Sequence, residues 1–569
     1  MSAATQAIRA ARDLLWQASG LDEARATFTW PEITGPFNWA IDWFDAIGRG
    51  RGDVALWIRE EDGSQQRYTY AEMVDRSDRL AAWLEARGLR KGDRVLVMLG
   101  NQVEIWDAQL ALMKLGAVII PTAMALNPGD LDDRIRRAGA RAVITNPGET
   151  SKFELIHGDY LRISTANAPD GWLPLADAGR LEASPRPIVT TVDDPVLAYF
   201  TSGTTNQPKL VEHTHQSYPV GHLTTTYFIG SRPGDVHLNI SSPGWGKHAW
   251  SSFFAPWIAE ATVFVYNYLR FDAADLMSQL RECGVNTFCA PPTVWRMMIL
   301  ADLGERPEGL RQVVGAGEPL NPEVIATVQQ AWGLTIRDGY GQTETTAQVG
   351  NVPGEPVKIG SMGRPLPGVP VVVVDPETGE PGRHGEICLD LSQHPRNLFT
   401  EYVGSPALTA QAKRGGYYHT GDLVVVDDDG YLTYVGRDDD VFKASDYKVS
   451  PFELESVLMQ HPAVAEVAVV PSPDPTRLAV PKAYVSLAPG FERSRETAAS
   501  ILAHAKEHLP AYLRVRRLEF HDLPKTLSGK IRRVALRARE ALPVHERDQS
   551  DNTEYRYEDF PELHGRKRP

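Results

Sequence analysis

Short runs of β-branched and aliphatic residues alternate along the chain with stretches whose apolar positions recur at helical spacing. Residues 93–99 and 116–122 are two such runs, and an apolar stripe that includes Trp106 and Met113 lies between them. Further runs lie at 141–146, 197–200, 235–240, 261–266, 285–290 and 310–317. Strands that alternate with helices predict βαβ units. We therefore expect an α/β fold whose mostly parallel sheets are covered by helices.

The pattern changes near residue 365, where proline and glycine interrupt the stretch GRPLPGVPVVVVDPETGEPGRHGEICLD. Proline and glycine residues at these intervals predict turns between antiparallel strands, and hence a small β-rich part over about 360–437. With the alternating segments before it, this part completes a large N-terminal domain that covers residues 1–437.

A smaller unit follows over residues 438–543. Ser450, Pro451 and Glu453 form the capping pattern of a helix start, and two strand-like runs and another helical stretch come after them. The sequence therefore predicts a small C-terminal α+β domain. The polar and charged tail, residues 544–569, is expected to be mobile or to lie on the surface.

Composition narrows the class of protein. The 569-residue chain carries a net charge of −14, which argues against a general nucleic-acid surface. Its 3 cysteines form no CxxC pair and no even disulfide framework, as in a reducing compartment such as the cytoplasm. No apolar run approaches the roughly 18 residues of a membrane span. The first 20 residues fit an amphipathic helix, and a transit peptide remains the alternative.

One polar loop, YFTSGTTNQPK, suggests phosphate binding. It follows an apolar strand and combines hydroxyls, backbone N–H groups and a lysine, which together can form a concavity for an anion. The loop lacks the second glycine of a Walker A motif. The candidate phosphate-binding residues are Thr201, Ser202, Gly203, Thr204, Thr205 and Lys209.

Five further motifs follow in a fixed order: GAGEPLNPE (315–323), DGYGQTET (338–345), YHTGD (418–422), GRDDDVFKASDYK (436–448) and PKTLSGKIRR (524–533). With the phosphate loop, they resemble the signature motifs of the adenylate-forming enzymes. That superfamily contains acyl-CoA synthetases, luciferases and peptide-synthetase adenylation domains. Within that superfamily, the motifs are most similar to those of medium-chain acyl-CoA synthetases. The resemblance covers roughly residues 35–540.

The resemblance implies the roles of the residues that bind ATP. The phosphate loop would hold the β- and γ-phosphates, Tyr340 would stack on adenine, and Thr343 would reach the α-phosphate. Glu344, with Thr204, would hold Mg²⁺. The other nucleotide-binding positions that it implies in the large domain are Gly317, Glu318, Pro319, Asp338, Gly339, Gly341 and Gln342.

Towards the C-terminus, the resemblance implies that Asp422 accepts hydrogen bonds from the ribose hydroxyls. Arg437 and Lys448 would lie near ribose and phosphate. Lys530 would contact the carboxylate and the α-phosphate in the transition state, together with Thr343 and Glu344. Because Lys530 belongs to the small domain, that domain would have to close over the nucleotide, with Asp439 as the hinge.

The acyl pocket implied by the resemblance includes one group from SSPGWGKHAW and one from the GAGEP strand. Its residues are Trp245, Gly246, Lys247, His248, Gly315, Ala316 and Gly317. Small residues at 315–317 leave room for an acyl chain or a flat ring, and Trp245 offers an apolar wall. The polar Lys247 and His248 either point away or mark a polar acid.

The implied CoA-binding residues are Ser445, Asp446, Tyr447 and Arg477. Asp446 and Lys448 depart from the family pattern, which has glycine and arginine at these positions. An acidic side chain beside the CoA path leaves a carrier-protein thiol open as the alternative acceptor.

The resemblance thus predicts an AMP-forming ligase that activates a medium-chain fatty or aromatic acid with Mg·ATP and transfers the acyl group to CoA. The predicted partners are the small-molecule acid, ATP and CoA, and a homo-oligomer is possible. Two alternatives stay open: an acyl-AMP ligase that loads a carrier protein, and a non-catalytic homologue that binds acyl groups or nucleotides.

Overall fold

The structure is a computed structural model that describes residues 1–201, 208–318, 320–444, 447–474, 478–526, 530–542, 547 and 554–563. Its contacts divide the chain into two compact units. The first comprises residues 1–372, 388–419 and 427–432, and the second comprises 373–387, 420–426 and 433–569. The domain boundary at 437 stays a prediction.

The α-helices are numbered in chain order. They are α1 Ala3–Gln17, α2 Leu21–Thr27, α3 Ala46–Gly48, α4 Tyr70–Ala86, α5 Val103–Leu115, α6 Pro128–Ala138, α7 Leu223–Ile229, α8 Gly246–Ala249, α9 Ala255–Ile258, α10 Ala273–Glu282, α11 Pro292–Ile299, α12 Pro322–Trp332, α13 Pro406–Ala412, α14 Pro451–Leu458, α15 Arg495–His508 and α16 Arg533–Ala541.

The strands are numbered in the same way. They are β1 Val54–Glu60, β2 Gln65–Thr69, β3 Arg94–Met98, β4 Val118–Pro121, β5 Ala142–Thr145, β6 Leu161–Ser164, β7 Leu173–Pro174, β8 Pro195–Thr201, β9 Lys209–Thr214, β10 Val236–Asn239, β11 Thr262–Asn267, β12 Thr287–Ala290, β13 Gln312–Ala316, β14 Arg337–Gly341, β15 Ala347–Gly350, β16 Arg364–Pro365, β17 Val371–Val374, β18 His384–Asp390, β19 Glu401–Tyr402, β20 Tyr417–Val426, β21 Leu432–Arg437, β22 Phe442–Ala444, β23 Tyr447–Val449, β24 Val464–Asp474, β25 Leu478–Leu487, β26 Arg517–Phe520 and β27 Glu554–Arg556.

Two large sheets form the first unit. One has the order β16–β15–β14–β13–β12–β10–β11–β1–β2 and is parallel from β14 to β1. The other has the order β19–β9–β8–β4–β3–β5–β6–β7 and is parallel from β8 to β7. Antiparallel strands extend both sheets at their edges. The predicted α/β fold with mostly parallel sheets is therefore confirmed.

The central strands of these sheets carry continuous aliphatic runs. Helices cover both faces of each sheet, so these strands have no face in water. β3, β4 and β5, for example, are buried along almost their whole length. Several helices, among them α1, α4, α6, α10, α14 and α15, begin at a residue whose side chain caps them. Thr69 and Glu72 form a complete capping box at α4, which satisfies backbone N–H groups that the helix itself leaves without acceptors.

The predicted β-rich part contains a four-stranded sheet with the order β17–β18–β20–β21, which has residues in both units. Its turn at 427–431 closes through a hydrogen bond from Asp427 N to Tyr431 O, with Gly430 at a φ of 80°. The left-handed backbone at this position favours glycine.

The second unit contains the sheet β24–β25–β26–β27 and the helices α14, α15 and α16. Ser450 caps α14 by accepting a hydrogen bond from Glu453 N, as the sequence predicted. The described part of the tail differs from the prediction of a mobile or surface segment. Glu554–Arg556 form β27 on the edge of this sheet, and Tyr557, Phe560 and Leu563 are buried in its core. Three apolar side chains in a charge-rich stretch are enough to anchor it.

Among the described residues, no helix combines the length and the apolar character that crossing a bilayer requires.

Candidate active site

The two ends of the predicted phosphate loop lie opposite each other. β8 ends at Thr201 and β9 begins at Lys209, and these two residues are partners in an antiparallel ladder. The ladder therefore fixes both ends of the loop. Ser202, Gly203, Thr204 and Thr205 lie outside the described residues.

Tyr402, which lies in none of the sequence motifs, contacts two of the predicted site residues. The ammonium of Lys209 lies 4.7 Å from the centroid of the Tyr402 ring, which is a cation–π contact. The Tyr402 hydroxyl donates a hydrogen bond of 2.9 Å to Glu344 Oε1. Tyr402 lies on β19, which pairs with β9 and so brings the ring to Lys209. The fold thus joins the predicted phosphate-binding lysine and the predicted magnesium-binding glutamate through one side chain.

His213 holds the backbone of the same motif. Its Nε2 lies 2.7 Å from the carbonyl oxygen of Thr343, so Nε2 carries the proton and donates. Nδ1 then accepts from the Ser217 hydroxyl at 2.9 Å. Burial lowers the pKa of His213 to about 3, which keeps the ring neutral in this arrangement. The backbone at Thr343 and Glu344 is therefore anchored to β9.

The glycines of DGYGQTET are required by close packing. A Cβ atom added at Gly339 would lie 2.4 Å from the Phe228 ring. A Cβ added at Gly341 would lie 2.4 Å from both the Thr346 carbonyl oxygen and the Trp250 ring. Trp250 begins a π-helical turn, Trp250–Phe254, and such turns are frequent at functional sites. The motif therefore packs against its neighbours at distances that exclude a side chain.

Gly341→Ala is expected to destabilise the protein by about 1–3 kcal/mol, the usual cost of overpacking. It should also weaken ATP binding, because the strand must shift away from the Thr346 backbone. Thermal unfolding and ATP calorimetry measure the two effects. Gly148→Ala is the matched control, since a Cβ there meets no atom within 4 Å. Equal behaviour of the two variants would contradict the packing role of Gly341.

The other described nucleotide residues of the first unit lie within β14 or directly after β13 or β14. Asp338 is buried, and burial raises the pKa of its carboxyl to about 8. Gln342 accepts a 2.7 Å hydrogen bond from the hydroxyl of Tyr418, the first residue of the YHTGD motif, so the fold joins two of the sequence motifs. Gly317 and Glu318 follow β13, and Glu318 accepts from the Thr293 hydroxyl. Tyr340 is half-buried in β14. Pro319 lies outside the described residues.

The predicted acyl-pocket residues take different environments. Gly246 lies near the predicted chemistry, since a Cβ there would be 3.2 Å from the Tyr218 hydroxyl and 3.7 Å from Thr343 Oγ1. Trp245 and Lys247 are half-buried at the start of α8. Gly315 and Ala316 are buried in β13.

His248 is buried, and its Nε2 lies 3.2 Å from Asn101 Oδ1. Its ring centroid is 5.6 Å from that of Trp106, on α5. Burial lowers the pKa of His248 to about 3. Of the two polar residues in this motif, His248 therefore packs among core side chains as a neutral ring.

Asp422 and Arg437 meet in the second unit. The Asp422 carboxylate is buried, lies 3.6 Å from the Arg437 guanidinium and accepts a 3.4 Å hydrogen bond from the Tyr434 hydroxyl. Burial opposes the charge of Arg437, but Asp422 and Asp439 outweigh it and raise the pKa of the arginine. Asp439, the predicted hinge residue, lies 3.2 Å from Arg437, whereas Asp440 pairs with Arg537. The hinge role stays a prediction.

Lys530 lies at the end of a closed loop. The loop is tied by a bridge between Lys525 and Ile531 and by hydrogen bonds from Arg532 N to Pro524 O and from Thr526 N to Lys530 O. The Lys530 side chain itself is exposed. The loop therefore fixes the backbone of the lysine and leaves its ammonium accessible.

The predicted CoA-binding residues are described only in part. Tyr447 and Lys448 belong to β23, which pairs with β22. Ser445, Asp446 and Arg477 lie outside the described residues, so the acidic substitution at Asp446 has no structural account.

The residues present fit Mg·ATP. Glu344 offers carboxylate oxygens, which suit the hard Mg²⁺ ion, and Tyr402 already orients one of them. The cradle at Gly339 and Gly341, which a Cβ would fill, admits close approach to the backbone.

Comparison with known proteins gives the following relatives. Residues 44–402 match the family model described as AMP-binding enzyme, and residues 453–530 match its C-terminal domain. The 4-hydroxybutyrate–CoA ligase 1 of Metallosphaera sedula is 43% identical over 515 residues, which cover 89% of this chain and 91% of the relative. Mouse mitochondrial acyl-coenzyme A synthetase ACSM3 is 37% identical over 532 residues, 90% of this chain and 91% of the relative.

Solved structures of CoA ligases and acyl-CoA synthetases are also similar to this chain. The anthranilate CoA ligase AuaEII in complex with anthranoyl-AMP superposes with a TM-score of 0.80 at 27% identity, covering 90% of this chain and 99% of that one. An acyl-CoA synthetase of Brucella canis has a TM-score of 0.69 at 31% identity, covering 93% of this chain and 98% of that one.

Proposed function

The chain belongs to the AMP-binding enzyme family, and from that premise we propose how its residues carry out the reaction. The protein is an AMP-forming acyl-CoA synthetase that uses ATP and CoA. What remains to be assigned is the role of each residue, the magnesium ion and the acid. The observation that carries the assignment is the convergence of Lys209 and Glu344 on Tyr402.

Acid activation brings a carboxylate against the α-phosphate of ATP, and both are anions. The site must neutralise this repulsion and stabilise the departing pyrophosphate. Lys209 and the loop that begins at Thr201 would bind the β- and γ-phosphates. Thr343 would hydrogen-bond to the α-phosphate, with its backbone fixed by His213.

Mg²⁺ held by Glu344 and Thr204 would supply additional positive charge for the phosphates. Tyr402 donates to one oxygen of Glu344 and therefore fixes the direction in which the carboxylate faces. Its ring also places the Lys209 ammonium. Both charges are thereby set before ATP binds, which avoids reorganisation during the reaction.

Tyr340 would stack on adenine, and Asp422 would accept from the ribose hydroxyls. Tyr434 and Arg437 orient the Asp422 carboxylate within the second unit. Lys530 would stabilise the charge that develops between the acid and the α-phosphate, which requires it to reach the bound nucleotide during activation.

The acid would lie beside Trp245, Gly246, Gly315, Ala316 and Gly317. We propose a medium-chain fatty acid or an aromatic acid as the substrate. Because two relatives are named for 4-hydroxybutyrate and anthranilate, the panel to be tested includes small carboxylic acids that carry a hydroxyl or an amino substituent. CoA would pass Ser445, Asp446, Tyr447 and Arg477. A cytoplasmic location and a homo-oligomeric state stay predictions.

One assay tests the proposal. The protein is incubated with ATP, Mg²⁺ and a panel of straight-chain, hydroxylated and aromatic acids, and pyrophosphate, AMP and acyl-CoA are measured with and without CoA. We expect acid-dependent pyrophosphate release and an acyl-CoA product with at least one acid. Adenylate that forms but never transfers to CoA would favour a carrier-protein acceptor. Absence of acid-dependent release across the panel would contradict the proposed acid class.

A further inference from the structure

A fully buried lysine lies at the centre of the second unit. The Lys482 ammonium is within 2.7 Å of Glu519 and 2.8 Å of both Glu540 and Glu554. Three carboxylates so close together also suit a metal ion. Here the lysine ammonium occupies the place that such a cation would take, and it forms an ion pair with each of the three carboxylates.

The three carboxylates come from three different elements. Glu519 lies on β26, Glu540 on α16 and Glu554 on β27. Glu519 and Glu554 are direct cross-strand partners, an arrangement that would repel without the intervening ammonium. Lys482 therefore joins the C-terminal strand to the sheet and to α16 at once.

α16 begins three residues after Lys530, so its position sets that of the catalytic loop. The C-terminal end of the helix is held by Glu540, which also accepts from Ser472 and Tyr484. Its N-terminal end is held by Arg533, which forms a 2.5 Å ion pair with Glu455. A helix fixed at both ends can shift only if one of these anchors gives way.

The C-terminal segment, residues 554–563, lies beyond the part of the chain that matches the family's C-terminal domain, which ends at residue 530. Glu554 supplies one of the three carboxylates around Lys482. Tyr557, Phe560 and Leu563 lie in the same core as α15. This segment therefore contributes both charge and apolar contacts to the unit that carries Lys530.

We propose that the C-terminal segment positions Lys530 for acid activation, and that Glu554 does so through Lys482 and α16. Glu554 is then a positioning residue that touches no substrate. The inference rests on the proposed role of Lys530. Loss of Glu554 leaves Lys482 with two carboxylates and loosens the anchor of α16, so the Lys530 loop is held less firmly.

The test compares Glu554→Gln with Glu558→Gln in the full chain. Glu558 lies in the same segment and forms an exposed 3.2 Å pair with Arg516, which contributes little. Each variant is assayed for acid-dependent pyrophosphate release and, separately, for acyl transfer to CoA from a supplied acyl-adenylate. Thermal unfolding and amide hydrogen exchange in α16 are measured on the same preparations. Lys530→Ala serves as the reference.

We expect Glu554→Gln to lower pyrophosphate release about tenfold, since a displacement of about 1 Å can cost up to 10²-fold. Acyl transfer should stay within about twofold of the native rate, since the role proposed for Lys530 belongs to activation alone. Hydrogen exchange in α16 should rise, and Glu558→Gln should match the native protein in every assay. A chain that ends after Arg547 should show the same selective loss as Glu554→Gln, only larger.

Equal loss of both half-reactions, or loss of neither, would overturn the proposal. Equal loss would show that the segment serves stability alone. If Lys530→Ala leaves pyrophosphate release unchanged, the assigned role of Lys530 is wrong, and this result is recognised independently of what Glu554→Gln does.

Discussion

Replacing Lys530 by alanine is expected to lower acid-dependent pyrophosphate release by about 10²- to 10³-fold, the usual cost of removing a charge that stabilises a transition state. The closed loop fixes the backbone at 530 through the Lys525–Ile531 bridge and leaves the side chain exposed. The substitution therefore removes the ammonium without disturbing packing. Acyl transfer from a supplied acyl-adenylate to CoA should remain near the native rate.

Lys525→Ala is the matched control for this prediction. Lys525 lies in the same loop, but it pairs with Glu466 at 2.7 Å on the surface. A surface pair of this kind contributes about 0–1 kcal/mol, so activation should be almost unchanged. Native pyrophosphate release in Lys530→Ala, or equal losses in the two variants, would remove Lys530 from the mechanism.

Glu344→Gln is expected to lower pyrophosphate release about 10²-fold and to raise the Mg²⁺ concentration needed for half-maximal rate. The amide keeps the shape of the side chain and can still accept from the Tyr402 hydroxyl. It loses the negative charge, and a neutral amide is a poorer ligand for Mg²⁺ than a carboxylate. The change therefore tests the charge at this position and leaves the packing intact.

Two measurements separate the explanations for Glu344→Gln. Calorimetry of ATP binding should show a loss of affinity in the presence of Mg²⁺ and little change in its absence. Glu401→Gln is the control, because Glu401 is exposed and directly precedes Tyr402. An unchanged magnesium requirement in Glu344→Gln would assign the metal to other residues.

Local patterns predicted the order of the elements correctly. The aliphatic runs that became β3, β4 and β5 and the cap at Ser450 depend on neighbours within a few residues, so the sequence reveals them directly. The motifs GYGQTE and YHTGD were equally visible, since each is a run of consecutive residues.

The contacts that orient the site could not be predicted in this way. Tyr402 lies in the stretch TEYVG, which matches none of the motifs. Only the pairing of β19 with β9 brings it to Lys209 and Glu344. Phe228 explains Gly339 only when α7 packs on β14. Such contacts join residues far apart in sequence, and one sequence carries no local signal of them.

The described part of the tail, residues 554–563, differs from the expectation for the same reason. Its charge-rich composition indicates a solvated segment, because composition reports the average preference of a stretch for water. The fold instead buries Tyr557 and Phe560 and pairs Glu554 with Lys482. The sequence by itself determined the family and the α/β architecture, since these follow from local patterns, and it supplied the candidate site residues, whose roles stay predictions. Only the tertiary structure decided which side chains hold those residues in place, because orientation depends on contacts between distant parts of the chain.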